Sequence, residues 1–151
     1  MLYGVAFDTQ IDMWSLGCLL VEVYIGRRLF DAFNRSSAVA TMAKTLGPLP
    51  RERFAGGRFY SALSSLPVYG TMAIDEDGHA AETNQHFNQP LQARLWSLLH
   101  CDDPTQLPFV SFLAGCLEYD PDHRLTALKA LRHPFVEHLC PMAQLLANSM
   151  L

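Results

Sequence analysis

One stretch of the sequence, DTQIDMWSLGCLLVEVYIGRRLF from Asp8 to Phe30, is apolar on every side of a helical wheel. Asp8 or Thr9 can cap such a helix, and Asp12 in its first turn is favoured by the helix dipole. Gly26 is a suitable terminator. A helix that is apolar all round is normally buried, so we expect this one to lie inside a domain.

Composition narrows the class of protein further. The chain has 151 residues, of which 50% are hydrophobic and 17% charged, and this favours one folded domain over disorder. A net charge of -4 provides no general footprint for nucleic acid. A membrane span needs about 20 apolar residues, and the first helix is shorter and contains Asp12 and Glu22. We therefore predict no nucleic-acid partner and no membrane segment.

The cysteines and the N-terminus indicate the compartment. The four cysteines form no CxxC pair, which predicts free thiols in a reducing compartment. The six histidines do not match zinc spacings, so no metal site is predicted. The opening residues MLYGVAFD lack the basic region of a signal peptide. We expect the protein to be intracellular, in the cytoplasm, the nucleus or both.

Local signals predict further helices and one long irregular segment. Ser36 or Ser37 can cap a short helix that Gly47 ends. Turn signals dominate from Pro48 to Pro108, where a hairpin is predicted at Asp77-Gly78. The segments predicted to be helical after it are Gln92–His100, Phe109–Leu117 before the break at Asp120-Pro121, Thr126–Arg132 before Pro134, and a loose helix in the tail from Glu137 to Leu151.

Two motifs resemble the C-terminal lobe of a eukaryotic protein kinase. They are DMWSLGC at 12–18 and CLEYDPDHRLTALKALRHPF at 116–135. The segments IDEDG and LLHCDDPTQLPFVSFLAGCLEYDP are similar to the dual-specificity tyrosine-regulated kinase (DYRK) branch of the CMGC group. The resemblance covers Leu2 to Val136 and is weakest from Gly47 to Gln92. It implies a mainly α fold, the lower half of a kinase C-lobe (helices F to I with a long irregular insert), in 1–138, followed by a tail in 139–151.

The resemblance implies a role for five residues. Asp12 matches the aspartate whose carboxylate holds the catalytic-loop backbone, and Trp14 and Gly17 match packing positions of the same helix. Glu22 matches a glutamate beneath the substrate-peptide groove. Arg124 matches the arginine that pairs with the glutamate of the A-P-E motif, a contact suited to a planar guanidinium. Taken alone, such an aspartate is often only a helix cap and such an arginine is often solvated. The two motifs together favour the kinase interpretation.

The elements that perform kinase chemistry are missing from these 151 residues. The sequence contains no G-x-G-x-x-G, V-A-I-K, HRD or DFG motif, and Asp122-His123-Arg124 only mimics HRD in scrambled order. The parent kinase is expected to bind ATP and Mg²⁺ and to phosphorylate serine, threonine or tyrosine. This chain alone is expected to have no catalytic, cofactor or metal residues and no activity.

The same resemblance predicts exposed surface and lost partners. Met1 aligns just after the A-P-E glutamate, so Asp12 and Arg124 are expected to lack their usual partners. The isolated chain should then be marginally stable and aggregation-prone, and Arg124→Ala should matter little. The expected partners are the missing kinase half, substrates of the parent, or a protein that covers the exposed face. The alternative function is a non-catalytic binding or scaffold module derived from a kinase C-lobe. An unrelated helical fold would require both motifs to arise by chance.

Overall fold

The computed structural model describes Gly4 and residues 8–63 and 89–139. The chain divides into two compact units. We name the units by their place in the sequence alone: the central unit contains Met1–Phe7 and the middle stretch Arg28–Arg94, and the outer unit contains Asp8–Arg27 and Leu95–Leu151, which flank that stretch along the chain. The predicted hairpin at Asp77-Gly78 lies outside the described residues.

All regular structure in the described ranges is helical, as predicted. The elements are α1 (Gln10–Ile25), α2 (Arg35–Leu46), α3 (Arg51–Phe54), α4 (Tyr60–Leu63), α5 (Leu91–Leu98), a 3₁₀ turn (Pro104–Gln106), α6 (Leu107–Cys116), α7 (Ala127–Leu131) and α8 (Pro134–Leu139). None of these described helices is both long enough and apolar enough to cross a membrane.

Helix α1 begins and ends where the sequence predicts. Its first backbone N–H, that of Gln10, donates to the carboxylate of Asp8 at 2.9 Å. Thr9 precedes the helix but makes no side-chain capping bond. Gly26 ends the helix in the left-handed conformation, with φ of 70°, which glycine adopts without a steric penalty.

Helix α2 has a different cap from the one predicted. Asn34 is the N-cap, and its side chain accepts a hydrogen bond from the Ser37 backbone N–H at 2.8 Å. The Ser37 hydroxyl accepts in turn from the Asn34 N–H at 3.1 Å, which completes a capping box. The prediction of Ser36 or Ser37 as the cap is therefore wrong, because Ser37 is the third helical residue. Gly47 ends the helix as predicted, with φ of 106°.

The segment from Pro48 to Pro108 contains more helix than predicted. Helices α3 and α4 have four residues each, too few to show an apolar period. Helix α5 falls within one residue of its predicted start. In the central unit the buried stripe of α2 follows helical spacing, and its members are Val39, Ala43 and Leu46.

The second half of the chain follows its predicted pattern closely. Helix α6 begins two residues earlier than predicted, because Pro108 is tolerated in a first turn. Thr126 caps α7 by accepting from the Lys129 N–H at 3.2 Å. Helix α8 then starts at Pro134. The predicted tail helix is described only as far as Leu139, and the boundary at residue 139 stays a prediction.

The outer unit has a compact apolar core. Its buried members come from α1, α6 and α7, and aromatic side chains of α6 and α8 pack against them. Phe112 and Phe135 lie with ring centroids 5.2 Å apart, and Phe109 and Phe135 5.0 Å apart. The cluster comprises Met13, Phe112, Cys116 and Ala130, with Leu20, Leu125, Phe135 and Val136 packed against it.

Burial of α1 on every side, which the sequence predicts, is wrong for this structure. Helix α6 packs against one face of α1, where Met13, Gly17 and Val21 are buried. On the opposite face Leu19 is 57% exposed and Val23 is 73% exposed. An apolar helix is buried only where a neighbour is present to cover it, and no described segment covers this second face.

Candidate functional site

The start of α1 and the turn after α6 meet at the buried guanidinium of Arg124. Its side chain donates three hydrogen bonds to backbone carbonyls. Nε donates to Glu118 O at 2.8 Å, Nη1 to Gln10 O at 2.9 Å and Nη2 to Tyr119 O at 3.1 Å. Arg124 is only 9% exposed. One planar fork therefore links the first turn of α1 to two consecutive carbonyls of the loop that leaves α6.

Gln10 connects the same two segments in the opposite direction. Its Nε2 donates to Arg124 O at 3.1 Å and to Pro121 O at 3.3 Å. The loop between these carbonyls is a tight turn, in which Arg124 N donates to Asp120 O at 2.9 Å. Asp122 N donates to the Asp120 carboxylate at 3.1 Å. The DPDHR motif is thus a local turn joined to α1 by hydrogen bonds in both directions.

Aromatic rings complete the surroundings of Arg124. Its guanidinium carbon lies 5.1 Å from the centre of the Trp14 ring. Trp14 stacks on Tyr119 with ring centroids 5.6 Å apart. Burial lowers the pKa of Arg124, and the nearby charges of Asp8, Glu118 and Asp120 oppose this shift. The side chain is charged at any ordinary pH, because even a lowered arginine pKa stays far above neutrality.

This geometry adds contacts of Arg124 that the sequence did not indicate. The sequence predicts that Arg124 lacks its usual carboxylate partner, so that its removal would matter little. Its guanidinium instead donates to three carbonyls of the chain itself. A pairing of Arg124 with the A-P-E glutamate of a parent kinase stays a prediction.

Gly17 lies where α1 packs closely against the end of α6. A methyl group at this position would lie 2.8 Å from Cβ of Cys116 and 3.0 Å from Cγ of Leu117. Both neighbours are fully buried. No larger residue fits at this position without moving α6, so the residue type follows from the separation of the helices.

Asp12 is exposed in the first turn of α1. It borders an open depression of about 590 Å³ that is also lined by Asp8 and Asp122. No group of three or more His, Cys, Asp or Glu side chains in the part of the chain that the structure describes is arranged to hold a metal ion. We assign no step of phosphoryl transfer to the described residues.

Glu22 is half-buried further along α1. Burial, and secondarily the charge of Glu22, raise the pKa of Cys18 to about 12. Burial also raises the pKa of Cys116 to about 11. Cys18, Cys101 and Cys116 are free thiols, and the fourth cysteine for which this was predicted, Cys140, lies outside the described residues. The implied roles of Asp12 at a catalytic loop and of Glu22 beneath a peptide groove stay predictions.

Sequence reasoning missed the acceptors of Arg124 and the contribution of Gln10. Backbone carbonyls have no sequence signature, so Glu118 and Tyr119 could not be singled out by residue type. Gln10 precedes Asp12 by two residues and reads as an ordinary polar residue in a first turn. Only the fold shows that its amide bridges to Pro121 and Arg124.

Comparison with known proteins finds similarity to protein kinases, in agreement with the resemblance of the two sequence motifs. A family model described as a protein kinase domain matches residues 1–136. Dual specificity tyrosine-phosphorylation-regulated kinase 3 of Rattus norvegicus is 31% identical over 148 residues, which covers 91% of this chain and 25% of the relative. A putative homolog of that kinase from Drosophila melanogaster is 33% identical over 149 residues, covering 91% of this chain and 18% of the relative. The DYRK-family kinase pom1 of Schizosaccharomyces pombe is 29% identical over 136 residues, covering 88% and 11%.

A solved structure shows the same fold. The MAP kinase LmaMPK10 from Leishmania major matches with a TM-score of 0.62 and 23% identity, over 91% of this chain and 35% of that one. The chain spans about a quarter of the length of the mammalian relative it matches.

Proposed function

The chain belongs to the protein kinase domain family, and from this premise we propose that it is a C-lobe segment of a kinase of the DYRK type. The parent kinase transfers the γ-phosphate of ATP to serine, threonine or tyrosine of a protein substrate. These 151 residues alone transfer none. Within the parent, the segment acts as the rigid base on which the catalytic elements rest.

The proposed inactivity follows from the chemistry of phosphoryl transfer. That reaction needs groups that cradle the phosphates, hold Mg²⁺ and orient the attacking hydroxyl. The motifs that supply these groups in kinases are absent from the sequence. ATP and Mg²⁺ are therefore bound by a part of the kinase outside this segment.

The observation that best supports the proposal is a stripe along α1. Leu16, Leu19 and Val23 are 37%, 57% and 73% exposed. They are spaced i, i+3 and i+7, so they share one face of the helix, and Asp12 lies on the same face one turn before Leu16. We call these four residues the exposed stripe. An apolar helix face with a carboxylate at one end is suited to receive another part of a folded domain, with the carboxylate accepting backbone hydrogen bonds.

The Arg124 cluster supports the role of a rigid base. It joins the start of α1 to the Asp120–Arg124 turn, so Asp12 is presented from a helix whose position is fixed by hydrogen bonds at its first turn. Gly17 fixes the distance of α1 from α6 a little further along. In this proposal Asp12 holds the catalytic loop of the parent, and Glu22 lies near its substrate peptide.

A transfer assay with the purified chain tests the inactivity. The chain is incubated with labelled ATP, Mg²⁺ and a mixture of serine, threonine and tyrosine peptides. We expect no label above the buffer blank. Transfer activity that follows the chain through successive chromatography steps would contradict the proposal.

The size of the endogenous protein tests the claim of a larger parent. An antibody raised against the Asp102–Leu117 segment is used to immunoblot extracts of the source cells. A band far larger than the calculated 16.9 kDa supports the proposal. A band only at 16.9 kDa would contradict it and favour the second candidate function.

That second candidate is a non-catalytic binding or scaffold module, and the exposed stripe favours it as well. In this case the stripe is covered by a separate protein rather than by the rest of the same kinase. The two candidates differ in the composition of the purified endogenous product. In the first, the rest of the kinase domain is part of the same polypeptide. In the second, a separate polypeptide co-purifies with the chain.

A further inference from the structure

Two exposed arginines of the central unit share one aromatic ring. The guanidinium carbon of Arg35 lies 3.7 Å from the centre of the Phe59 ring, and that of Arg58 lies 5.5 Å from the same point. Both distances fall within the range of a cation–π contact. Phe59 is half-buried, whereas both arginines are exposed. A guanidinium held by its face keeps its N–H edges available for an acceptor.

Backbone packing fixes one side of this arrangement. Gly4 has φ of 72°, and a methyl group on it would lie 2.9 Å from Cβ of Arg58 and 3.1 Å from a ring carbon of Phe59. The main chain at Gly4 therefore presses against the Arg58–Phe59 pair. A side chain held in this way loses less conformational entropy when it binds a ligand.

The helix terminus at Arg35 adds to the positive charge of the two guanidinium groups. Arg35 is the first residue of α2, at the positive end of the helix dipole, and the first turn contains no acidic residue. A cation at this end of a helix is unfavourable unless an anion is nearby. Neither guanidinium forms an ion pair with a carboxylate among the residues that the structure describes. The positive potentials of Arg35, Arg58 and the N-terminus of α2 therefore add together beside the Phe59 ring.

We propose that Arg35 and Arg58 bind the phosphoryl group of a phosphorylated peptide. A phosphoryl group has about two negative charges and three acceptor oxygens, which suits two forked donors. The site is small, since both guanidinium carbons lie within 5.5 Å of one ring centre. The chain as a whole has a net charge of -4, which disfavours an extended polyanion such as nucleic acid or a charged lipid surface. A single compact dianion fits both facts.

Fluorescence polarisation with the full chain tests this site. The probe is a short labelled peptide with one phosphoserine between neutral residues, and the control probe is the same peptide without phosphate. We expect only the phosphopeptide to bind, and inorganic phosphate to compete with it. Arg35→Gln and Arg58→Gln should each weaken binding about tenfold or more, because each removes a charged hydrogen-bond donor.

The matched control variant is Arg27→Gln. Arg27 is also an exposed arginine, lies in the outer unit, and its substitution changes the net charge by the same amount. Equal weakening by Arg27→Gln would overturn the proposal, because it would indicate a general charge effect. Absence of phosphopeptide binding would overturn it too, as would tighter binding to phosphatidylserine vesicles than to the peptide. Arg35→Lys and Arg58→Lys keep the charge but lose the fork, and phosphopeptide binding that both leave unchanged would refute the forked geometry.

Discussion

Substitution of Arg124 by alanine should destabilise the isolated chain severely, even though no A-P-E glutamate is present. The variant removes three hydrogen bonds from a charged donor and leaves the carbonyls of Gln10, Glu118 and Tyr119 without that partner. It also removes the group that lies over Trp14. A buried carbonyl that loses its hydrogen-bond partner typically costs about 1–3 kcal/mol, so the loss at three carbonyls amounts to about 3 kcal/mol or more. A small domain has only about 5–15 kcal/mol of total stability.

Urea unfolding followed by tryptophan fluorescence measures this cost directly. For a domain of this size the free energy falls by about 1–3 kcal/mol per molar urea, so the midpoint should drop by at least about 1 M. The urea midpoint of Arg124→Lys should lie between those of the unsubstituted chain and of Arg124→Ala, because an ammonium keeps the charge but cannot reach three carbonyls at once. Arg27→Ala is the control, since Arg27 is an exposed arginine of the same unit. An Arg124→Ala midpoint equal to that of the Arg27→Ala control would refute the argument.

Three further predictions concern the packing and the titratable groups of the chain. Gly17→Ala should lower the urea midpoint, because overpacking costs about 1–3 kcal/mol. Gly56→Ala should leave the midpoint unchanged, because no atom lies within 4 Å of the new methyl group. Equal effects of the two substitutions would contradict the close approach of α1 and α6. Burial lowers the pKa of His133, so the unfolded state binds the proton more readily and thermal stability should fall as the pH drops below about 6.5. His133→Asn should weaken the pH dependence of thermal stability below about pH 6.5. A pH profile unchanged by this substitution would contradict the role of His133. Cys18 and Cys116, whose pKa values are raised to about 12 and 11, should resist iodoacetamide at pH 8 until urea is added; mass spectrometry of the alkylated peptides shows whether they react in the native state instead.

The local elements are predictable because their signals are local. Gly26 and Thr126 carry the conformational preferences of a helix end and a helix cap, and both act there. The cap of α2 is misplaced by the sequence pattern because asparagine and serine both favour that position. Only the backbone conformation, extended at Asn34, decides between them. Short helices such as α3 escape prediction because four residues contain no full apolar period.

The sequence could not predict which side chains are buried or which groups they contact. The composition of α1 indicates that it avoids water, but which of its faces is covered depends on the neighbours that are present. Met13 faces α6 and is buried, and Leu19 faces away and is exposed. Arg124 is singled out by its motif, yet its acceptors are carbonyls that any residue type could supply. The sequence motif therefore identifies Arg124, and only the fold shows which carbonyls it donates hydrogen bonds to.

The proposed function rests on the exposed stripe of α1 receiving the catalytic part of a kinase, and a graft measures this most directly. The aligned segment of the rat relative is replaced by this chain, and transfer of labelled phosphate to a peptide is measured. Leu19→Asp places a charge in the proposed contact, while Phe33→Asp, at a side chain that is 97% exposed elsewhere, is the matched control. We predict that the graft and its Phe33→Asp form are active and that the Leu19→Asp form is not. An inactive graft, or equal activity of the two aspartate variants, would contradict the proposal.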